Sequence, residues 1–230
     1  MLFRSLFDYD TYTYTYLIAD LSSKTAALVD SVLEQTDRDL QLIKELGLTL
    51  RYALETHIHA DHITGASRLR ELTGCLGVVP KGAEVACADR FLEDGEILQL
   101  GEIPIQAIAT PGHTDSHMAY LVNHTHLLTG DALFIRGCGR TDFQSGNAGA
   151  LFDAVTDRLF QLPDETLVYP GHDYRGQTVS TIGEEKAFNP RFKGRTKAEF
   201  INYMASLNLP DPKKIAEAVP ANLQCGKVTV

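Results

Sequence analysis

No run of about 18 uninterrupted apolar residues occurs in the 230-residue chain, so no membrane-spanning helix is expected. The opening MLFRSLFDYD reaches Asp8 before an apolar stretch grows to the length of a signal-peptide core, and no export leader is expected either. Basic side chains are outnumbered, 21 against 30 acidic, for a net charge of −9. That sign disfavours a surface that tracks a phosphate backbone or an anionic bilayer. Cysteine is scarce: Cys75, Cys87, Cys138 and Cys225 are widely scattered, with no Cys-x-x-Cys pair. Such spacing suits a reducing cytoplasm better than a disulfide framework. Repeats, low-complexity tracts and Gly/Ser linkers are also missing, so residues 1–230 are expected to form a single domain. With 44% hydrophobic and 22% charged residues, the chain has enough apolar side chains to build a sizeable core.

The apolar pattern alternates between periods of two and of about 3.6 residues. Thr11–Asp20 alternates Tyr and Thr as a half-buried strand does, and AALVD follows as a second strand. Ser31 to Leu46 carries a helical apolar stripe that Gly47 stops, LTLRYALETH reads as a strand, ITGASRLREL as a helix ending at Gly74, and LGVVP as a buried strand. From Gly95 onward EILQL, IPIQAIAT, MAYLVN and HLLTGDALF read as antiparallel strands of a second sheet. Asn147–Leu162 then reads as a helix, TLVYP as a strand, and Thr196–Leu207 and Pro212–Ala218 as helices. Two similar mixed halves imply an α/β protein with two sheets covered by helices.

Five of the eight histidines fall where a cation would be held: His57, His59 and His62 in THIHADHITG, His113 in TPGHT and His172 in YPGHD. The spacing His-x-His-x-Asp-His begins where a strand ends and stops where a helix begins. Residues two apart line one face of a strand but stand about 7 Å apart along it, and they align poorly on a helix, so an irregular turn is what bends His57 and His59 toward one ion. His113, Asp131 and His172 each follow a strand end as well, where residues distant in sequence converge. His117, His124 and His126 lack this setting and are expected to be satisfied locally.

These motifs, together with TGDALF, resemble the metallo-β-lactamase superfamily over nearly the whole chain. The resemblance implies an αβ/βα sandwich of two mixed β-sheets flanked by helices, with the metal site at one sheet edge. A dinuclear member would bind one metal through His57, His59 and His113 and a second through Asp61, His62 and His172, bridged by Asp131. The segment GDALFIRGCGRTDFQSG, with THIHADHITG, YPGHDYRG and NPRF, is similar to the persulfide dioxygenases, or sulfur dioxygenases, related to the ethylmalonic-encephalopathy protein. Asp115-Ser116-His117 departs from the Pro-Gly-Cys-like sequence common after TPGHT in that family.

The dioxygenase resemblance implies a single non-haem Fe(II) on His57, His113 and Asp131, a two-imidazole, one-carboxylate set that leaves positions for substrate and O2. It implies no organic cofactor. His59, Asp61, His62 and His172 would then orient the ligands. The implied substrate is glutathione persulfide, oxidised with O2 and water to sulfite and glutathione. Arg140, Tyr174 and Arg191 are candidates to hold the peptide-like anion, with Arg175 and Arg195 as weaker ones, and Cys138 is a candidate to line the sulfur pocket. From Gly171 to Lys197 six basic residues face three acidic ones, a local reversal of sign that suits a small anion. The resemblance leaves room for a homodimer and for a rhodanese-like sulfurtransferase partner. The alternative within the superfamily is a dinuclear hydrolase of S-acyl glutathione thioesters like glyoxalase II. A non-catalytic metal- or thiol-binding module is the alternative outside enzymology.

Overall fold

The computed structural model describes residues 1–210 and 214–227. Two mixed six-stranded sheets, each with flanking helices, carry the described residues. The first takes β1 (Leu2–Asp8), β2 (Thr13–Asp20), β3 (Thr25–Val29), β4 (Thr49–Leu54), β5 (Leu76–Pro80) and β6 (Arg90–Leu92) in chain order. β1, β2 and β3 pair antiparallel, whereas β3 to β6 run parallel. Parallel neighbours need crossover connections, and α1 (Thr36–Glu45) and α2 (Ala66–Thr73) supply two of them.

The second sheet takes β7 (Ile97–Leu100), β8 (Ile103–Ala109), β9 (Met118–Val122), β10 (His126–Gly130), β11 (Leu167–Pro170) and β12 (Ser180–Thr181), ordered 12-11-10-9-8-7. β9 and β10 pair antiparallel, as their sequence suggested, whereas β10 and β11 run parallel, because the helical stretch 148–161 between them is a crossover rather than a hairpin. That stretch starts as α3 (Ala148–Asp153), capped by Asn147 accepting from Ala150 N, and continues through one π and one 3-10 segment. α4 (Ile182–Phe188) has no counterpart in the sequence reading. α5 (Lys197–Ala205) does: Thr196 and Glu199 form a capping box, the reciprocal bonding that fixes a helix start. The last helix, α6 (Ile215–Asn222), lies later than the Pro212–Ala218 expected, of which residues 212 and 213 lie outside the described residues.

By contacts the chain falls into two compact units, one of Met1–Glu93, Leu98–Ile105 and the C-terminal segment from residue 214, the other of Asp94–Ile97 and Gln106–Pro210. In the first, Leu17, Leu28, Ile43, Leu50 and Leu69 bury the α1 and α2 stripes on the parallel strands. In the second, Leu127, Leu151, Leu159, Val168 and Phe200 form the centre of the core. β2 is buried on both faces, not half-buried as Tyr/Thr alternation implied. Its Tyr14 and Tyr16 stack on each other, Tyr16 stacks on Phe3 of the neighbouring strand, and Tyr14 packs at a tilt against Phe7.

The cysteine expectation is corrected. Cys87 and Cys225, 138 residues apart, form a disulfide, while Cys75 and Cys138 are free and buried. Sequence spacing conceals the pairing because α6 packs beside the 83–88 loop, where Val85, Cys87, Ala88, Val219 and Cys225 share an apolar cluster. Cross-linking so long a loop restricts the unfolded chain, typically by about 2–4 kcal/mol. Reducing the bond, or changing Cys87→Ser, is expected to lower the unfolding free energy measured in urea by that much, shifting the midpoint down, with a larger m because the unlinked unfolded chain exposes more surface. An unchanged midpoint would show that the link adds no stability.

Candidate metal centre

The parallel strands of the first sheet fix where the histidine-rich turn begins. Asp30 N donates to Leu54 O and Glu55 N to Val78 O, so the ends of β3, β4 and β5 stay in register as the chain leaves them. Asp30, at the end of β3, then turns back on the next residues. Its carboxylate accepts Thr56 N–H at 2.7 Å and the Thr56 hydroxyl at 2.9 Å. With its own proton given to Asp30, Thr56 Oγ1 accepts from His57 Nδ1 at 2.9 Å. A chain of donors therefore assigns the His57 proton to Nδ1 and leaves Nε2 with its lone pair.

His59 is bound differently. Its Nε2 lies 3.1 Å from Asp30 Oδ1 and 3.3 Å from Glu55 Oε2, all three side chains being buried. Burial alone would favour the neutral imidazole, but Asp30 and Glu55 outweigh it and hold His59 well above the ordinary histidine range. Asp30 is correspondingly lowered: burial opposes its ionisation, and the His59 charge with the His59 and Thr56 hydrogen bonds overcomes it. Glu55 is raised, chiefly by burial. His62 donates through Nδ1 to Asp61 Oδ2 at 3.0 Å. The outward atoms, His59 Nδ1 and His62 Nε2, are buried without hydrogen-bond partners. His59, Asp61 and His62 can each bring one ligand atom within 4.8 Å of the others.

Asn222 of α6 completes this cluster. Its Nδ2 donates to His59 O and His62 O, each at 2.9 Å, and its Oδ1 accepts from Thr64 N. One buried amide thus clamps both ends of the histidine-rich turn. Neither Asn222 nor Asp30 was singled out from the sequence. Asp30 closes AALVD as any strand-end aspartate could, and Asn222 lies 160 residues beyond its partner in the chain.

In the second unit the parallel β10/β11 pair brings the residues after both strands to one edge. Gly130 pairs with Pro170 and Gly171 N donates to Gly130 O, which sets Asp131 beside His172. Asp131 Oδ2 is 3.5 Å from His113 Nε2, and its Oδ1 is 3.6 Å from His172 Nε2. Asp131 Oδ1 is buried with no hydrogen-bond partner. His113 Nδ1 donates to Arg140 O at 2.7 Å. A carbonyl only accepts, so the proton is on Nδ1 and the lone pair is on the Nε2 that faces Asp131.

Glycine is required around this group. A Cβ at Gly139 would lie 2.4 Å from Asp131 O and 2.9 Å from His113 Nδ1, and one at Gly171 would lie 2.6 Å from Asp131 Oδ1.

The candidate substrate residues occupy several settings in this unit. Arg140 directs Nε and Nη2 to Asp142 and Nη1 to Pro210 O, so its fork holds the loop while its carbonyl orients His113. Tyr174 is 65% exposed and stacks on His172. Arg191 and Arg195 both lie over the Tyr203 ring, and Arg191 Nη1 is buried without a hydrogen-bond partner. Arg175 is exposed, with its backbone N–H on Asp173. Cys138 packs in the apolar core against Met204, and burial pushes its thiol up to about 12. Two of the basic residues from 171 to 197 are paired, Lys186 with Asp164 and Lys197 with Asp153.

A metallo-beta-lactamase superfamily model matches residues 8–172. The Homo sapiens persulfide dioxygenase ETHE1, mitochondrial, is 48% identical over 233 residues, spanning all of this chain and 90% of that protein. The chain belongs to the persulfide dioxygenase family of the metallo-beta-lactamase superfamily. Among solved structures, ETHE1 from Myxococcus xanthus is 53% identical, with a TM-score of 0.96 over 99% of this chain and 100% of that one. A Staphylococcus aureus metallo-beta-lactamase, 23% identical, shares the fold at a TM-score of 0.91 over 100% of this chain and 74% of that one. The two mixed sheets with flanking helices are thus the fold of the superfamily. Among the described residues no helix is long and apolar enough to cross a membrane.

Proposed function

We propose that this chain is a glutathione persulfide dioxygenase that uses one Fe(II) held by His57, His113 and Asp131. In the net reaction, glutathione persulfide, O2 and water give glutathione and sulfite. The sulfur–sulfur bond breaks, both atoms of O2 and one water oxygen end on the departing sulfur, and the glutathione sulfur takes up a proton. Near full-length identity to proteins named persulfide dioxygenase carries this reading.

The donor set suits the ion. Two imidazoles with Nδ1 protons committed to Thr56 and Arg140 O offer neutral Nε2 atoms, and Asp131 offers a buried carboxylate oxygen that nothing else bonds. Two imidazoles and a carboxylate are the donors that suit non-haem iron. Bound there, Fe(II) supplies the redox chemistry that O2 needs to react with a persulfide sulfur.

The protein's own groups bind and orient. Thr56 and the Arg140 carbonyl fix the two imidazole rings, and hydrogen bonds of this kind raise ligand basicity and hold the tautomer. His59, Asp61 and His62 would orient the turn that carries His57, and His172 would orient the Asp131 carboxylate. Arg191 and Tyr174 take the glutathione moiety, Arg191 through a guanidinium edge that can pair with a carboxylate. Arg140 contributes through its backbone carbonyl, which accepts from His113 Nδ1. The proposed setting is cytoplasmic, where glutathione is abundant, with a homodimer and a sulfurtransferase-class partner that exchanges persulfide sulfur.

The test is to measure iron content, O2 uptake and sulfite with glutathione persulfide, beside hydrolysis of an S-acyl glutathione thioester. One iron per chain and sulfite stoichiometric with O2 are expected. One equivalent of iron with no sulfite would sink the proposal, and thioester turnover on two metals would replace it with the hydrolase.

A further inference from the structure

His117 has no place in the ligand set, yet it is 1% exposed and bonded to the backbone of a proposed ligand. Asp131 N–H donates to His117 Nε2 at 3.0 Å. His117 Nδ1 lies 2.7 Å from Thr110 Oγ1, itself fully buried, and Thr110 N donates to His117 O at 2.9 Å. A backbone N–H only donates, so Nε2 must be the acceptor, and the ring proton on Nδ1 goes to the Thr110 hydroxyl. The imidazole is fixed at both nitrogens.

Its position in the fold explains why this matters. Thr110 follows β8, His117 precedes β9 and Asp131 follows β10, three neighbouring strands of the second sheet. His113 lies on the loop that Thr110 and His117 close. The ring of His117 therefore joins the loop carrying one proposed ligand to the backbone of another, and meets the His113 ring edge to face at 6.2 Å between centroids. The Asp131 backbone is held from the other side as well, where Gly139 N donates to Asp131 O at 2.8 Å. Of the two contacts only the one from His117 depends on a side chain, so it can be altered by substitution without touching the main chain. Shifting the Asp131 backbone would move its carboxylate relative to His113 Nε2, since the side chain has only two torsions with which to compensate.

We infer that His117 is a positioning residue for the metal centre: with Thr110 it holds the Asp131 main chain so that His113 Nε2 and the Asp131 carboxylate face the ion in one fixed geometry. The inference rests on the reading of Asp131 as a ligand. His117 was expected only to be satisfied locally, and the fold instead makes it a rigid two-nitrogen bridge between Thr110 and Asp131.

The experiment measures Fe(II) affinity by chelator competition under anaerobic conditions and the visible d–d spectrum of the Co(II)-substituted protein. His117→Leu is expected to weaken Fe(II) binding by about tenfold to a hundredfold, the usual effect of removing a group that orients a ligand, and to shift the Co(II) bands. His117→Gln, whose amide oxygen can accept the Asp131 N–H, should stay within about threefold of wild type with a near-native spectrum. A His117→Leu protein with wild-type affinity and spectrum overturns the inference, as does a Gln variant as impaired as the Leu one. If His117→Leu does not fold by circular dichroism, Thr110→Val decides. It keeps the ring but removes its anchor, so weakened binding with shifted bands supports the bridge and unchanged values remove it. Asp131→Ala separates the two levels: binding as tight as wild type removes Asp131 from the ligand set. Lost binding there, with intact binding in His117→Leu, removes only the role of His117.

Discussion

Replacing His113 by alanine is expected to leave less than about a tenth of the iron bound at equimolar metal and to cut O2 uptake with glutathione persulfide at least about a thousandfold, equivalent to about 4 kcal/mol of barrier. The size of the effect follows from how His113 is held. Its Nδ1 proton is committed to Arg140 O and its Nε2 faces Asp131, so the ring is oriented to present that one nitrogen to the proposed ion. Alanine removes one of two imidazoles from a three-donor set and leaves the Asp131 oxygen without the cation it is proposed to bind. His124→Asn is the control: His124 lies in the exposed β9–β10 turn at a φ of 60°, a conformation asparagine accepts, and its rate and iron content should match wild type. Inductively coupled plasma metal analysis and an oxygen electrode check both. Retained iron and rate in His113→Ala would remove His113 from the mechanism.

Asp30→Ala is expected to cost about 3–5 kcal/mol of folding stability, the range for removing one partner of a buried ion pair. The carboxylate accepts the Thr56 N–H, the Thr56 hydroxyl and His59 Nε2. Deleting it strands the Thr56 N–H and hydroxyl and leaves the charged ring of His59 with Glu55 as its remaining counter-charge, in a place where water does not reach. The damage then passes to His57, because Thr56 Oγ1 accepts from His57 Nδ1 only while its own proton is given to Asp30. Looser iron binding should accompany the lost stability. Asp30→Asn keeps one acceptor oxygen and should lose about half as much. Urea unfolding followed by circular dichroism measures the difference, and an Asp30→Ala protein within about 1 kcal/mol of wild type would show that the pair with His59 contributes little net stability.

Both effects depend on residues the sequence presents unequally. His57, His59, Asp61, His62, His113, Asp131 and His172 are legible because metal-ligand residue types sit just past strand ends, a local property that spacing and strand periodicity expose. Asp30, Asn222 and His117 are not. Each acts through a hydrogen bond to a partner 14 to 163 residues away, and a lone aspartate, asparagine or histidine carries no mark of such a partner. The same limit explains the disulfide: Cys87 and Cys225 read as scattered because nothing local says that α6 packs on the 83–88 loop.

The candidate substrate groups show the limit from the other side. Arg140 is conspicuous beside a site motif, but tertiary packing commits its guanidinium to Asp142 and Pro210 and leaves its carbonyl to act on His113. The basic excess between Gly171 and Lys197 shrinks once Lys186 and Lys197 find Asp164 and Asp153 in the fold.

The sequence alone determined that this is an acidic α/β chain with a histidine–aspartate constellation of candidate metal ligands, because residue type, spacing and strand ends are local facts. Only the tertiary structure decided the parallel pairing of β10 with β11, the Cys87–Cys225 link, the tautomers of His57 and His113, and the brackets that Asp30, Asn222 and His117 make. Those depend on which distant groups meet, and hydrogen bonds and disulfides form between neighbours in space whatever their separation along the chain.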